Sequence, residues 1–454
     1  MAFPLTCRRA VLTLCALFGA LLMAEPSRAQ PPDIESFLVP GDGAQVWQLA
    51  PGPDGAIWFT LTRCDEPRCV TTVRHDFIGR ITADGQITEF PLPFDPQPHG
   101  SGPFGITAGS DGALWFTLIR GDAIGRITTS GGLTLFPLPP SPVPPSDNAP
   151  YEITAGPDGA LWFTQAFAVG RITTAGTVTR FPANTGISSD PTAIAAGPDG
   201  ALWYTFINAN QIGRITPAGA TTIYGLPAPC GPHGITTGPD VALWFGCGVG
   251  SIGRIGLDGV VSIYPIPFAG SHPTDIAQGP DGALWYTDQD NGMIGRITTS
   301  GVVSEYFSGP GNGPPGGITS DAGGIFFGKG SYISHIALAD VTPPVISGMP
   351  GPGCSIWPPN HKLVTVATIT ASDGESGGAL DSLAVRVASS DTQGPGLPDF
   401  VVSPNGSGGF VVRLRAERRG GGARVYTVTA TATDAAGNVA QATSTCTVPA
   451  NQGR

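Results

Sequence analysis

The sequence predicts an all-β chain, a seven-bladed β-propeller followed by an immunoglobulin-like β-sandwich. Three observations carry that prediction. The phrase "GPDGALWYT" at Gly197–Thr205 returns unchanged at Gly279–Thr287. Its Trp recurs as Trp58, Trp115, Trp162, Trp203, Trp244 and Trp285, with Phe326 in a seventh, degenerate copy, and the last four intervals are all 41 residues. A period of about 40 to 50 residues with no helical pattern inside it is the signature of four-stranded propeller blades. Finally, 66 Gly and 46 Pro stand beside only 13% charged and 41% hydrophobic residues, which suits many short strands joined by tight turns.

At the N-terminus, Arg8 and Arg9 precede an apolar run from Ala10 to Ala24 and the small-residue site Ser27-Arg28-Ala29. Residues 1–29 therefore read as an export signal cleaved near Ala29, by general secretion, with the twin-arginine route as the alternative. No other stretch reaches the roughly 18 apolar residues of a membrane span. A secreted or periplasmic chain follows, with no span after cleavage and expected to be monomeric. Loss of three Arg and one Glu with the signal leaves a net charge of about −13, which excludes nucleic acid as a natural partner. Beyond the signal, six cysteines remain. In an oxidising compartment they predict disulfides, Cys64 with Cys69 and Cys230 with Cys247 by proximity, while Cys354 and Cys446 bracket the C-terminal module. A zinc site is the rival reading, and the spacings match no standard ligand pattern.

Residues 30–340 form the propeller, and the third copy shows its grammar. An inner strand runs through Ile153, and Gly156-Pro157-Asp158-Gly159 makes a turn. Ala160–Thr164 is the second strand, Val169–Ile172 the third, and 177–181 the outer strand, ended by Pro182. The Trp of each second strand is expected to fill the space between blades. Arg80, Arg126, Arg171, Arg214, Arg254 and Arg296 recur on third strands, and an Asp recurs in every turn from Asp54 to Asp321. Both sets read as structural, through turn hydrogen bonds and Arg–Asp pairing. The outer-strand phrase is missing after the seventh copy, and an orphan, Ile34-Glu35-Ser36-Phe37-Leu38, stands before the first. The N-terminal strand is thus expected to complete the seventh blade and leave no open edge.

Residues 341–454 lose the period and show alternating runs, among them Leu363–Ile369, Phe410–Leu414 and 426–433. About a hundred residues of that kind suggest a β-sandwich, here of the immunoglobulin-like type found at the ends of bacterial secreted proteins. Asp373, Glu375 and Asp434 are candidate Ca²⁺ ligands there, with turn chemistry as the other explanation.

The residues just before each inner strand ring the channel mouth: Trp47, Phe104, Tyr151, Thr192, His233, Thr274 and Gly316. Trp47, Phe104 and Tyr151 form an aromatic platform and His233 joins them as a fourth ligand contact. One position on come Gln48, Glu152 and Asp275, and the loop after the second strand adds Gln165, Cys247, Asp288 and Lys329. His233 near carboxylates is a candidate catalytic base, with Asp275 and Asp288 as candidate ligands of a divalent ion. A solvated rim is the bland alternative.

The repeated Gly-Pro-Asp-Gly-Ala-Leu-Trp-Phe-Thr, Ile-Gly-Arg-Ile-Thr and Ile87-Thr88-Glu89-Phe90-Pro91-Leu92-Pro93 resemble the streptogramin lyase family, whose type is virginiamycin B lyase. The resemblance spans residues 34 to about 338. It implies a propeller and a Mg²⁺-dependent elimination across the ester C–O bond of a cyclic depsipeptide, with His as base. The family's site residues are not matched: its sixth-blade Pro-His-x-Ile meets Pro273-Thr274-Asp275-Ile276, its seventh-blade Glu-Pro-His-Gly-Ile meets Pro314-Pro315-Gly316-Gly317-Ile318, and its following Glu meets Lys329-Gly330. Only Pro232-His233-Gly234-Ile235 keeps the His motif, one blade early. The expected function is therefore binding of a small molecule, glycan or protein at the mouth. The alternatives are a divergent Mg²⁺-dependent lyase using His233, Asp275 and Asp288, and an architectural envelope or matrix protein.

Overall fold

In a computed structural model, residues 33–64, 74–93, 101–140, 149–183, 191–338, 343–358, 360–372, 380–391, 398–406, 408–417, 422–434 and 437–450 are described. The export signal, the Cys64–Cys69 pair, Asp373 and Glu375 lie outside the residues whose side chains are described. Among the described residues every regular element is a strand. No helix among the described residues is long and apolar enough to cross a membrane.

Seven four-stranded antiparallel sheets account for residues 34–337. Their inner strands are Ala44–Pro51, Pro103–Ala108, Pro150–Ala155, Ile194–Ala196, Pro232–Thr237, Pro273–Gln278 and Pro315–Asp321. Each lies against the next, and the seventh returns to the first, so the sheets close into a ring around a channel. This is a β-propeller, and each sheet is a blade. Closure comes from the orphan strand: Ile34–Leu38 pairs antiparallel with Tyr332–Ala337 as the outer strand of the seventh sheet.

One polar device recurs at the base of six blades. Trp58 is fully buried, and its indole N–H donates to Asp54 Oδ1 at 3.0 Å, while Arg80 Nε donates to Oδ2 at 2.6 Å. The same triad is built on Asp111, Asp158, Asp199, Asp240 and Asp281. A buried indole N–H left without an acceptor costs about 1–3 kcal/mol, so the turn Asp is what allows a Trp at this depth. Each Trp packs into its neighbour: Trp58 shares a cluster with Leu114 and Phe116 of the second blade, and Trp285 with Ile325 and Phe327 of the seventh. The Gly of Ile-Gly-Arg-Ile is also steric, because a Cβ on Gly79 would sit 2.1 Å from the Phe59 ring. In the seventh blade Phe326 and His335 replace the Trp and Arg and stack with centroids 4.2 Å apart.

The C-terminal part is a two-sheet sandwich. Its strands, in chain order, are Val345–Ser347, Leu363–Ser372, Leu380–Ser389, Phe400–Pro404, Phe410–Arg415, Arg424–Asp434 and Val439–Val448. The first, second, fifth and fourth form one sheet, and the third, sixth and seventh the other. Ile369, Val412 and Leu414 of one sheet meet Val428, Ala430 and Val448 of the other in a single core. Disulfides join Cys230 to Cys247 and Cys354 to Cys446.

Candidate functional site at the propeller mouth

The mouth is built by a slip in register. In six blades the pairing of inner and second strands shifts where the inner strand begins, as between Val46 and Leu49, Pro103 and Ile106, or Pro232 and Ile235. A bulge of this kind re-aims side chains out of the ladder, and here it turns the two residues inside it toward the channel. The second-strand Thr holds the bulge. Thr60 Oγ accepts from Gln48 N at 3.1 Å and donates to Phe104 O at 2.7 Å, so one hydroxyl fixes its own blade's bulge and ties it to the next. Thr117 and Thr164 do the same toward Tyr151 O and Thr192 O.

Trp47 and Phe104 stand side by side with centroids 6.2 Å apart at 48°. Trp47 remains 37% exposed, and its N–H donates to Thr62 Oγ at 3.2 Å. Thr62 donates on to Asp76, a buried carboxylate that also accepts from Ser101 Oγ and Gly102 N. The two rings border a cleft of about 810 Å³ that continues to Ile119, Arg120, Asn312 and Tyr332. They also border the channel cavity of about 280 Å³, which reaches Gln48, Glu152, His233 and Asp275. Tyr151, the third ring of the expected platform, borders neither of these two cavities.

Deeper in the channel, Gln48 Nε2 donates to Glu152 Oε1 at 2.8 Å. Burial pushes the Glu152 carboxyl up to about 8, and the facing Asp275 adds to the rise. Asp275 is pushed up to about 6 by burial, against the pull of the Ile318 and Ile276 N–H groups. His233 is lowered to about 4 by burial and by His272, whose Nε2 lies 3.3 Å from its own.

The predicted metal pair is not brought together. Asp275 faces the channel with its two oxygens taken by backbone N–H groups of Ile276 and Ile318. Asp288 is 0% exposed and caps a loop, accepting from His272 N at 2.9 Å and from Asn291. Register explains the separation. In five blades the last residue of the second strand pairs with the Pro that starts the inner strand, as Pro273 with Asp288 and Pro315 with Lys329, beneath the mouth rather than on it. Gln165, Cys247 and Lys329 are buried for the same reason. Lys329 Nζ donates to Ser308 Oγ at 2.8 Å and Gly309 O at 3.2 Å, an ammonium where the resemblance implies a metal carboxylate. Mg²⁺, which takes oxygen ligands and usually one or two carboxylates, does not fit these residues, and no group of three His, Cys, Asp or Glu among the described residues is placed to hold a metal. In the sandwich, Asp434 is taken up by a turn, accepting from Asn438 N and Nδ2.

Sequence reasoning missed His272 and Asp290. The signal was present: His272 occupies the slot before the inner-strand Pro that holds Gly102, Ala149 and Gly231 elsewhere.

Fold and mouth together define a β-propeller with an aromatic cleft beside a channel lined by carboxyl groups. A family model, the virginiamycin B lyase family, matches residues 33–229 and 140–338, and the chain belongs to that family. Virginiamycin B lyase of Nocardia farcinica is 33% identical over 81 residues, 18% of this chain and 29% of that protein. A catalytically inactive His-to-Ala variant of the Staphylococcus aureus virginiamycin B lyase, solved with quinupristin, is 33% identical with a TM-score of 0.60, covering 67% of this chain and 99% of that one. The extracellular domain of a hybrid two-component system from B. thetaiotaomicron aligns with 93% of this chain and 60% of its own at 13% identity and TM-score 0.54, a likeness of fold alone.

Proposed function

We propose that the chain is an exported binding propeller of the virginiamycin B lyase family that captures a small molecule or short glycan, or an exposed segment of a protein, at its mouth. The observation that carries this reading is the Trp47–Phe104 pair over a cleft of about 810 Å³. That size is typical of small-molecule sites, and an exposed Trp with its N–H already bonded offers a rigid apolar face. The expected export signal and the two disulfides support a place outside the cytoplasm. The sandwich's strand order is that of a constant-type immunoglobulin domain, which supports an immunoglobulin-like module at 341–454.

A second reading is a divergent C–O lyase with His233 as base. It is favoured by the position of His233 on the channel cavity and by its ring being neutral at physiological pH. Quinupristin, the ligand solved with the S. aureus relative, separates the two. Titration followed by Trp fluorescence, with mass spectrometry of the ligand, is expected to show binding without linearisation. Trp47→Ala should weaken that binding at least roughly tenfold, the loss of about 1.4 kcal/mol. A linear product of unchanged mass that disappears in His233→Ala would establish the lyase instead. Binding that Trp47→Ala leaves intact would move the site elsewhere.

A further inference from the structure

Three blades round the ring from Trp47, two histidines from adjacent blades meet edge to edge. His233 sits in the bulge of the fifth inner strand, and the disulfide Cys230–Cys247 ties down the turn that leads into it. His272 precedes the sixth inner strand, its backbone pinned by N–H donation to Asp288 and by accepting from Gln289 N at 3.0 Å. Their Nε2 atoms lie 3.3 Å apart, with ring centroids at 5.1 Å and planes at 74°. On its other nitrogen, His272 Nδ1 faces Asp290 Oδ2 at 3.3 Å.

This spacing fits a shared ion. A tetrahedral ion bound at about 2.05 Å holds two imidazole nitrogens about 3.3 Å apart and their centroids about 5.2 Å apart. The contact is also an imidazole N–H···N hydrogen bond, the form the pair takes without an ion. Gly248 packs closely against both rings: a Cβ there would lie 2.9 Å from Nε2 of His233 and 2.9 Å from Nε2 of His272. Any side chain there would press on both ring nitrogens. His233 also borders the channel cavity, so the remaining coordination positions face water or whatever occupies the mouth.

We propose that His233 and His272 form a two-histidine site for a divalent transition-metal ion, Zn²⁺ or Cu²⁺, with Asp290 orienting His272 from behind and the other positions open. Imidazole nitrogen suits these ions, whereas Mg²⁺ and Ca²⁺ require oxygen. A carboxylate on the far nitrogen of a ligating His fixes its tautomer and raises its basicity. The site is separate from the Trp47 cleft and stands whether or not that cleft binds a ligand.

The test is calorimetric titration of the chelator-stripped, untagged full chain with ZnCl₂ and, separately, MgCl₂. One equivalent of Zn²⁺ and no Mg²⁺ is expected. His233→Gln and His272→Gln should each lower Zn²⁺ affinity at least roughly 100-fold, and Asp290→Asn roughly tenfold. A variant that misfolds is bypassed by ¹⁵N–¹H spectra of the wild-type chain, in which Zn²⁺ should shift the imidazole signals of His233 and His272 alone. Zn²⁺ affinity unchanged in the folded double variant, or imidazole shifts confined to other histidines, overturns the proposal.

Discussion

Glu152 and Asp275 give the channel its electrostatic character, and their sign is unusual for carboxylates. Both are raised, to about 8 and about 6, chiefly by burial. A group raised in the folded state contributes stability that is full below its unfolded pKa and lost as pH climbs through the folded value. Glu305, 0% exposed and raised to about 7 by burial and Asp288, acts in the same direction. The melting temperature is therefore expected to fall as pH rises from about 4 to about 8, and Glu152→Gln should flatten the upper half of that slope in a pH series of thermal melts. The turn Asp residues act the other way. Burial raises Asp54, Asp111, Asp158 and Asp199, but the hydrogen bonds of their Trp and Arg partners outweigh it and hold them low, so their contribution is lost only in acid. Glu152 and Asp275 were legible in the sequence because, with Gln48, they interrupt a slot otherwise filled by Gly or Ala. His272 was not, because the mouth was read from the residue after the Pro and His272 stands before it.

At the scale of the blade, the sequence exposed its turns and strands but not its bulge. Gly-Pro-Asp-Gly demands one backbone shape, and its Gly takes positive φ, as at Gly159 with φ 74°. A register slip has no such compositional mark. Its only trace is the second-strand Thr, which alternation alone marks as an ordinary buried position. The fifth blade lacks that Thr: Gly246 stands in its place, where a Cβ would lie 2.7 Å from Pro273 O. Its bulge is instead bracketed by Cys230–Cys247, closing a loop with a sequence separation of 17. Replacing both cysteines by Ser is expected to cost about 3 kcal/mol in denaturant unfolding, and to weaken Zn²⁺ binding as His233 loses its anchor. An unchanged midpoint would mean that packing alone holds this bulge.

The whole ring depends on a single short strand. Ile34–Leu38 covers the edge of Tyr332–Ala337 through five registered pairs, and Ser36 and Ser334 exchange a side-chain hydrogen bond at 2.9 Å. Deleting residues 33–38 should leave an unpaired seventh-blade edge, detected as a lower melting temperature and a concentration-dependent oligomer on size exclusion. Closure was legible because the missing outer-strand phrase and the orphan phrase share one pattern, an Ile, a Phe three residues on and a Pro three further. It also fixes an order of events. The partners Ser36 and Ser334 are 298 residues apart in sequence, and contacts so remote are slow to form. A strand made before all seven inner strands must wait for the seventh blade before it has anywhere to dock. A circular permutant that begins at the first inner strand, with the closing strand placed after Ala337, should therefore refold faster while unfolding at a similar rate, since what it removes is the wait and not the bond.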